Sequence, residues 1–213
     1  MRGERLKRSL AGLATASALL LLSSAVPAQQ PSPATVAVCN ACHGPGGNSQ
    51  IPLTPSIAGQ PKLFVENQLV LIREGLRDVP QMKEIVAGMS DETIIALAQH
   101  FAAQTPVSKP GAVNLEKARL GAATASRTLC GTCHLADYTG QKQVPRLAGQ
   151  DETYLVYSMK QFRDSPGPGR DTIMAAALYG LSDADLANLA HYLATLSRKG
   201  RRLGPIRKDT IAP

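Results

Sequence analysis

The five residues Cys39-Asn40-Ala41-Cys42-His43 recur as Cys130-Gly131-Thr132-Cys133-His134, and these two segments hold every cysteine in the chain. C-x-x-C-H is the attachment motif of c-type haem. Two thiols add across the vinyl groups of one haem, and the adjacent histidine falls under the iron as proximal ligand. Other chemistries use paired cysteines. A four-cysteine zinc site, a thioredoxin-like redox pair and structural disulfides all give no reason for a histidine directly after each pair. A thioredoxin-like pair also expects a strand before it, and no strand pattern is present. The motif therefore predicts two covalently attached haem c groups, held by Cys39 and Cys42 and by Cys130 and Cys133, with His43 and His134 on the irons.

Composition agrees. Trp is absent and only eight residues are aromatic, five Tyr and three Phe. That is a thin supply for two small cores, since small domains bury little surface. A large apolar cofactor in each half would supply the missing core.

The chain is one unit written twice. Ala58-Gly59-Gln60 matches Ala148-Gly149-Gln150, Pro55 matches Pro145, and Arg73 matches Arg163. Gly88-Met89-Ser90-Asp91 matches Gly180-Leu181-Ser182-Asp183. A Pro/Gly-rich loop, 165–169, lengthens the second copy. The expected division is a secretory signal at 1–28, a first domain at 29–104, a linker at 105–114, a second domain at 115–197 and a basic tail at 198–213.

Each copy reads as short helices, and the class is all-α. Ser182 with Asp185 predicts a capping box, followed by Leu186, Leu189, Ala190, Leu193 and Leu196 at helical period. Ser90 caps the matching helix, with Ile94, Leu97, Ala98 and Phe101 as its stripe. A middle helix is expected from Pro61 to about Gly75 and from Glu152 to about Asp164. The helix leading into the second motif is expected over Leu115 to Leu129. In the first copy only a turn or two is expected after Pro33.

The sixth position on each iron decides the function. The repeat sorts the methionines. Met89 matches Leu181 and Met159 matches Leu69, so both read as core. Met82 and Met174 match each other, each eight residues before the capping serine. They are the expected sixth ligands. His100 and His191 fall at unmatched positions and read as partly exposed helix residues. Pro55 and Pro145 read both as rigid turns and as carriers of a carbonyl that accepts a hydrogen bond from the proximal imidazole.

The N-terminus has the marks of an export signal: Arg2, Arg5, Lys7 and Arg8, then an apolar stretch to Val26, then Val26-Pro27-Ala28 as a cleavage site. No other segment is apolar and long enough to span a membrane. The formal charge of +7 sits at the two ends. Residues 29–197 carry −1 once the +3 of residues 1–28 and the +5 of residues 198–213 are set aside. The basic tail reads as a solvated end, or as a docking element for an acidic partner or an anionic lipid surface. Export argues against nucleic acid as the partner.

These residues together resemble di-haem class I cytochromes c of the cytochrome c4 type, over nearly all of the mature sequence. The resemblance rests on both C-x-x-C-H motifs, the Gly-rich segment after His43, the two Ala-Gly-Gln turns, Arg73 and Arg163, and the Met-then-Ser-Asp helix ends. It implies two tandem cytochrome c-like domains, each with a His/Met low-spin haem, and a periplasmic one-electron carrier serving a respiratory chain. Its partners would be redox proteins: a respiratory complex, a terminal oxidase, a dehydrogenase or a reductase. His/Met ligation raises the potential and leaves no open coordination site, which speaks against an enzyme. The alternatives are a dedicated electron-transfer subunit of one dehydrogenase or reductase, and a di-haem peroxidase. The second motif departs from the family pattern, running into Leu135-Ala136-Asp137-Tyr138 rather than a Gly-rich segment.

Overall fold

The computed structural model describes residues 30–108 and 111–197. The expected signal at 1–28 and the basic tail at 198–213 lie outside the described residues. Among the described residues the fold is helical, with one isolated extended pairing between Gln141 and Val144. No described helix is long and apolar enough to cross a membrane.

The first copy holds α1 (Pro33–His43), α2 (Lys62–Arg73), α3 (Pro80–Val86) and α4 (Asp91–Ala102). The second holds α5 (Leu115–Arg127), α6 (Cys130–His134), α7 (Glu152–Asp164), α8 (Thr172–Leu178) and α9 (Asp183–Ala194). The capping box at Ser182 and Asp185 is formed, and Ser90 caps α4. The predicted apolar stripes are the buried faces: Ile94, Leu97, Ala98 and Phe101 in one copy, Leu186, Leu189, Ala190, Leu193 and Leu196 in the other.

Three local features go beyond the expectations. First, the turn or two expected after Pro33 is present and runs on through the motif, so that α1 is an unbroken helix of 11 residues. Ser32 caps it by accepting from the Thr35 amide at 3.1 Å, and Pro33 presets the first turn. Second, the helix expected over Leu115 to Leu129 stops at Arg127, because Leu129 turns left-handed at φ 55°. The second motif forms its own short helix, α6. Third, α3 and α8 carry the two matched methionines on helices of seven residues each. Two turns are too few to show a helical period in sequence. Pro80 starts one of them, and Asp171 caps the other by accepting from the Met174 amide at 2.9 Å.

In the second copy α5 crosses α9 in close contact. The crossing is at Gly121, beside the Asn188 carbonyl and Tyr192. The repeat offset places the counterpart of Gly121 at Gln30, before the start of α1, so α1 and α4 make no comparable crossing. The two copies also touch each other. Gly169, in the longer loop of the second copy, lies against the backbone of Leu76 and Arg77. Asn48 binds the connecting segment at the Thr105 carbonyl (3.1 Å) and the Val107 amide (2.7 Å).

Candidate functional site

Each C-x-x-C-H segment lies on a single helical turn or two, so its thiols and imidazole project within a few ångströms of one axis. In both copies the first cysteine is partly buried and the second exposed, and all four are free thiols. Burial pushes the Cys39 thiol up. The two pairs stay apart: no group of three or more His, Cys, Asp or Glu among the described residues could hold a metal ion.

His43 and His134 are buried, at 8% and 7% exposure. His43 Nδ1 lies 2.8 Å from the Pro55 carbonyl oxygen, and His134 Nδ1 lies 2.9 Å from that of Pro145. A carbonyl only accepts, so Nδ1 carries the proton in each ring and Nε2 bears the lone pair. Burial lowers both imidazole pKa values from the ordinary one, partly opposed by the bond to the carbonyl. Both rings are thus set as neutral donors with one nitrogen ready for a metal. Two free thiols for attachment and one such nitrogen for the iron, carried on one helix, are the residues a c-type haem needs on its proximal side, and both copies have them.

The loop after each histidine has the same course despite different residues. Gly47, at φ 76°, accepts from the amides of Ile57 (2.8 Å) and Ala58 (3.0 Å). Tyr138, at φ 55°, accepts from the amides of Leu147 (2.9 Å) and Ala148 (3.0 Å). Gly44 has φ 76° and ψ 168°, and its counterpart Leu135 has φ 68° and ψ 159°. That region is essentially reserved for glycine. The departure in the second motif therefore keeps these two positive-φ positions and adds strain at Leu135. Tyr138 is buried edge-on to Tyr192, and desolvation pushes its hydroxyl pKa up to about 12.

Met82 and Met174 are both half-buried, on α3 and α8. Met174 packs against the same apolar cluster as Cys130, beside Leu155, Met159 and Leu178. The chain after each methionine is pinned by an arginine. Arg73 Nη1 donates to the Met89 carbonyl at 2.9 Å, and Arg163 Nη1 donates to that of Leu181 at 2.8 Å. Hydrogen bonds to Asp91 and Glu74, and to Asp164 and Asp183, hold the two guanidinium groups and raise their pKa values. Met159 is core, as expected, and Met89 is partly buried.

His100 is partly exposed, as expected. His191 is buried at 6% exposure, which corrects the expectation. Its Nδ1 faces the Glu152 carboxylate at 2.9 Å, and its Nε2 accepts from the Asn114 amide at 3.0 Å. Both nitrogens are engaged, so it ties the connecting segment and α7 to α9.

The family described as Cytochrome c matches residues 118–197, and the one described as Cytochrome C oxidase, cbb3-type, subunit III matches residues 27–101. Cytochrome c4 of Pseudomonas aeruginosa is 31% identical over 172 residues, which cover 76% of this chain and 86% of the relative. The chain belongs to the cytochrome c4 family. The crystal structure of reduced cytochrome c4 from Pseudomonas stutzeri superposes with a TM-score of 0.70 at 28% identity, covering 79% of this chain and all of that one. A protein of Thiomonas intermedia named as a thiosulfate dehydrogenase electron acceptor is 29% identical, over 88% of this chain and 90% of its own. This member of the cytochrome c4 family is a di-haem electron-transfer protein rather than an enzyme. It comprises two tandem helical domains with two covalently bound haem c groups. It works with redox protein partners.

Two residues of consequence were noted in the sequence only as turn formers. Gln60 and Gln150 are buried, at 4% and 6% exposure. Each reaches into the opposite copy: Gln60 bonds the Arg146 backbone, and Gln150 bonds that of Ser56. The signal was their identity at matched positions in both copies.

Proposed function

We propose that the first domain spans 29–104 and the second 115–197, joined by 105–114, and that the matched side chains of each hold one haem c. Cys39 and Cys42 anchor the first haem, and Cys130 and Cys133 the second. His43 and Met82 would ligate one iron, and His134 and Met174 the other. When bound, each haem supplies a one-electron ferric/ferrous couple. The protein residues would keep that couple clean: a histidine and a methionine on each iron would leave no position for substrate or peroxide, and the burial of each histidine excludes water from its side of the site.

The observation that carries this reading is the matched state of the two imidazoles. Each is buried with Nδ1 on a proline carbonyl, at 2.8 Å and 2.9 Å. An axial nitrogen fixed in tautomer and orientation is what a low-reorganisation electron carrier requires. The proposed setting is the periplasm, after removal of residues 1–28, between components of a respiratory chain. The basic tail, 198–213, steers docking to acidic partners or an anionic membrane surface. The Thiomonas likeness favours a second reading, a carrier dedicated to one dehydrogenase. Spectra of the purified holoprotein, oxidised and reduced, test the ligand assignment. A low-spin spectrum in both states, with the weak far-red ferric band implied by methionine ligation, is expected. Peroxidase turnover at roughly 1–10³ per second would overturn the carrier reading.

A further inference from the structure

Each cross-domain glutamine bonds the peptide that carries the other domain's histidine-bound carbonyl. The Pro145 carbonyl that accepts from His134 Nδ1 at 2.9 Å belongs to the same peptide as the Arg146 amide. That amide donates to Gln60 Oε1 at 2.9 Å. The Pro55 carbonyl, which accepts from His43 Nδ1 at 2.8 Å, shares its peptide with the Ser56 amide. That amide donates to Gln150 Oε1 at 2.9 Å. Each glutamine also donates Nε2 to the next carbonyl, Gln60 to Arg146 at 3.0 Å and Gln150 to Ser56 at 2.9 Å. Both glutamines are buried, and each belongs to the domain opposite the histidine it serves.

We infer that Gln60 and Gln150 are reciprocal positioning residues, each setting the proximal imidazole of the haem in the other domain through the shared peptide. The inference rests on the assignment of His43 and His134 as axial ligands. A peptide whose N–H is accepted by a buried amide oxygen is polarised, and its carbonyl becomes a better acceptor. A better acceptor on Nδ1–H gives the imidazole more anionic character and makes it a stronger donor to the iron. A stronger donor favours the ferric state, so each glutamine lowers the reduction potential of the opposite haem. The relay is also a geometric brace. The paired bonds fix the peptide plane, and the peptide plane fixes the ring. The environment of each haem is thereby completed by the other domain.

The test uses the full-length holoprotein. Potentials of the two haems are read by redox titration, with hyperfine-shifted proton resonances assigning each to its domain. Gln60→Leu removes the acceptor and is expected to raise the potential of the second haem more than the first. Gln150→Leu is expected to do the reverse. Gln60→Glu keeps an acceptor on the Arg146 amide and adds charge to it, so it lowers the second haem's potential more than the first's. The Glu variant carries the test if Leu prevents folding. Equal shifts at both haems, or a larger shift at the glutamine's own haem, would overturn the inference. The ligand assignment is read separately from the unaltered protein. Ring protons of His43 and His134 without hyperfine shifts would sink that assignment. Shifted ring protons without the crossed pattern would sink only the relay.

Discussion

A Cβ placed on Gly121 would lie 2.0 Å from the carbonyl oxygen of Asn188. α5 and α9 therefore touch backbone to backbone, and only hydrogen fits between them. Gly121→Ala forces the helices apart. The expected loss is about 2 kcal/mol from overpacking, more than the roughly 1 kcal/mol of helix propensity that alanine returns. Urea denaturation of the holoprotein checks this. Gly111→Ala, which meets nothing within 4 Å, is the control and should be neutral.

Leu135 stands where the matched loop has Gly44, in a conformation that glycine adopts freely. Strain of this kind costs on the order of 1–3 kcal/mol, while glycine adds unfolded-chain entropy of about 1 kcal/mol. Leu135→Gly is expected to stabilise the second domain by about 1 kcal/mol, read as a rise in its thermal midpoint. A fall would mean that the Leu135 side chain contributes more than its backbone costs.

How much of this was legible in sequence varied with the physics involved. The C-x-x-C-H turns were legible because one covalent chemistry dictates residue type and spacing together. The last helix of each copy was legible because capping and period both act over a dozen residues. α3 and α8 were not, since their seven residues give no period and their packing partners are distant in sequence. The burial of His191 leaves no local mark in the sequence because it is tertiary: Glu152 is 39 residues away and Asn114 is 77. The left-handed Leu135 and Tyr138 were also hidden, because tertiary bonding there overrides local preference.

Met82→Ala and Met174→Ala should each remove about half of the far-red ferric band, one of two equivalent sites. Met89→Leu and Met159→Leu should leave it intact, since the matched positions already hold Leu181 and Leu69. Loss of the band in Met89→Leu would transfer ligation to the wrong register and contradict the assignment.

Arg163 holds the Leu181 carbonyl just beyond α8, and Arg73 holds the Met89 carbonyl just beyond α3. Their exposed ion pairs contribute little; the bond to the backbone is what restrains the methionine-bearing segment. Arg163→Gln should make the far-red band of the second haem fade at a lower temperature than that of the first. Arg73→Gln should reverse the order. Equal fading in both variants would show that the arginines act only on global stability.

The central claim is that each half of the chain carries one covalently attached haem c on its own C-x-x-C-H turn. Intact-mass measurement after acid–acetone extraction tests it most directly. The account predicts the mass of the chain plus two haems, falling by one haem in the double variant Cys39→Ala with Cys42→Ala and likewise in Cys130→Ala with Cys133→Ala. A chain that loses all pigment on extraction, or that retains two haems in either variant, would contradict it.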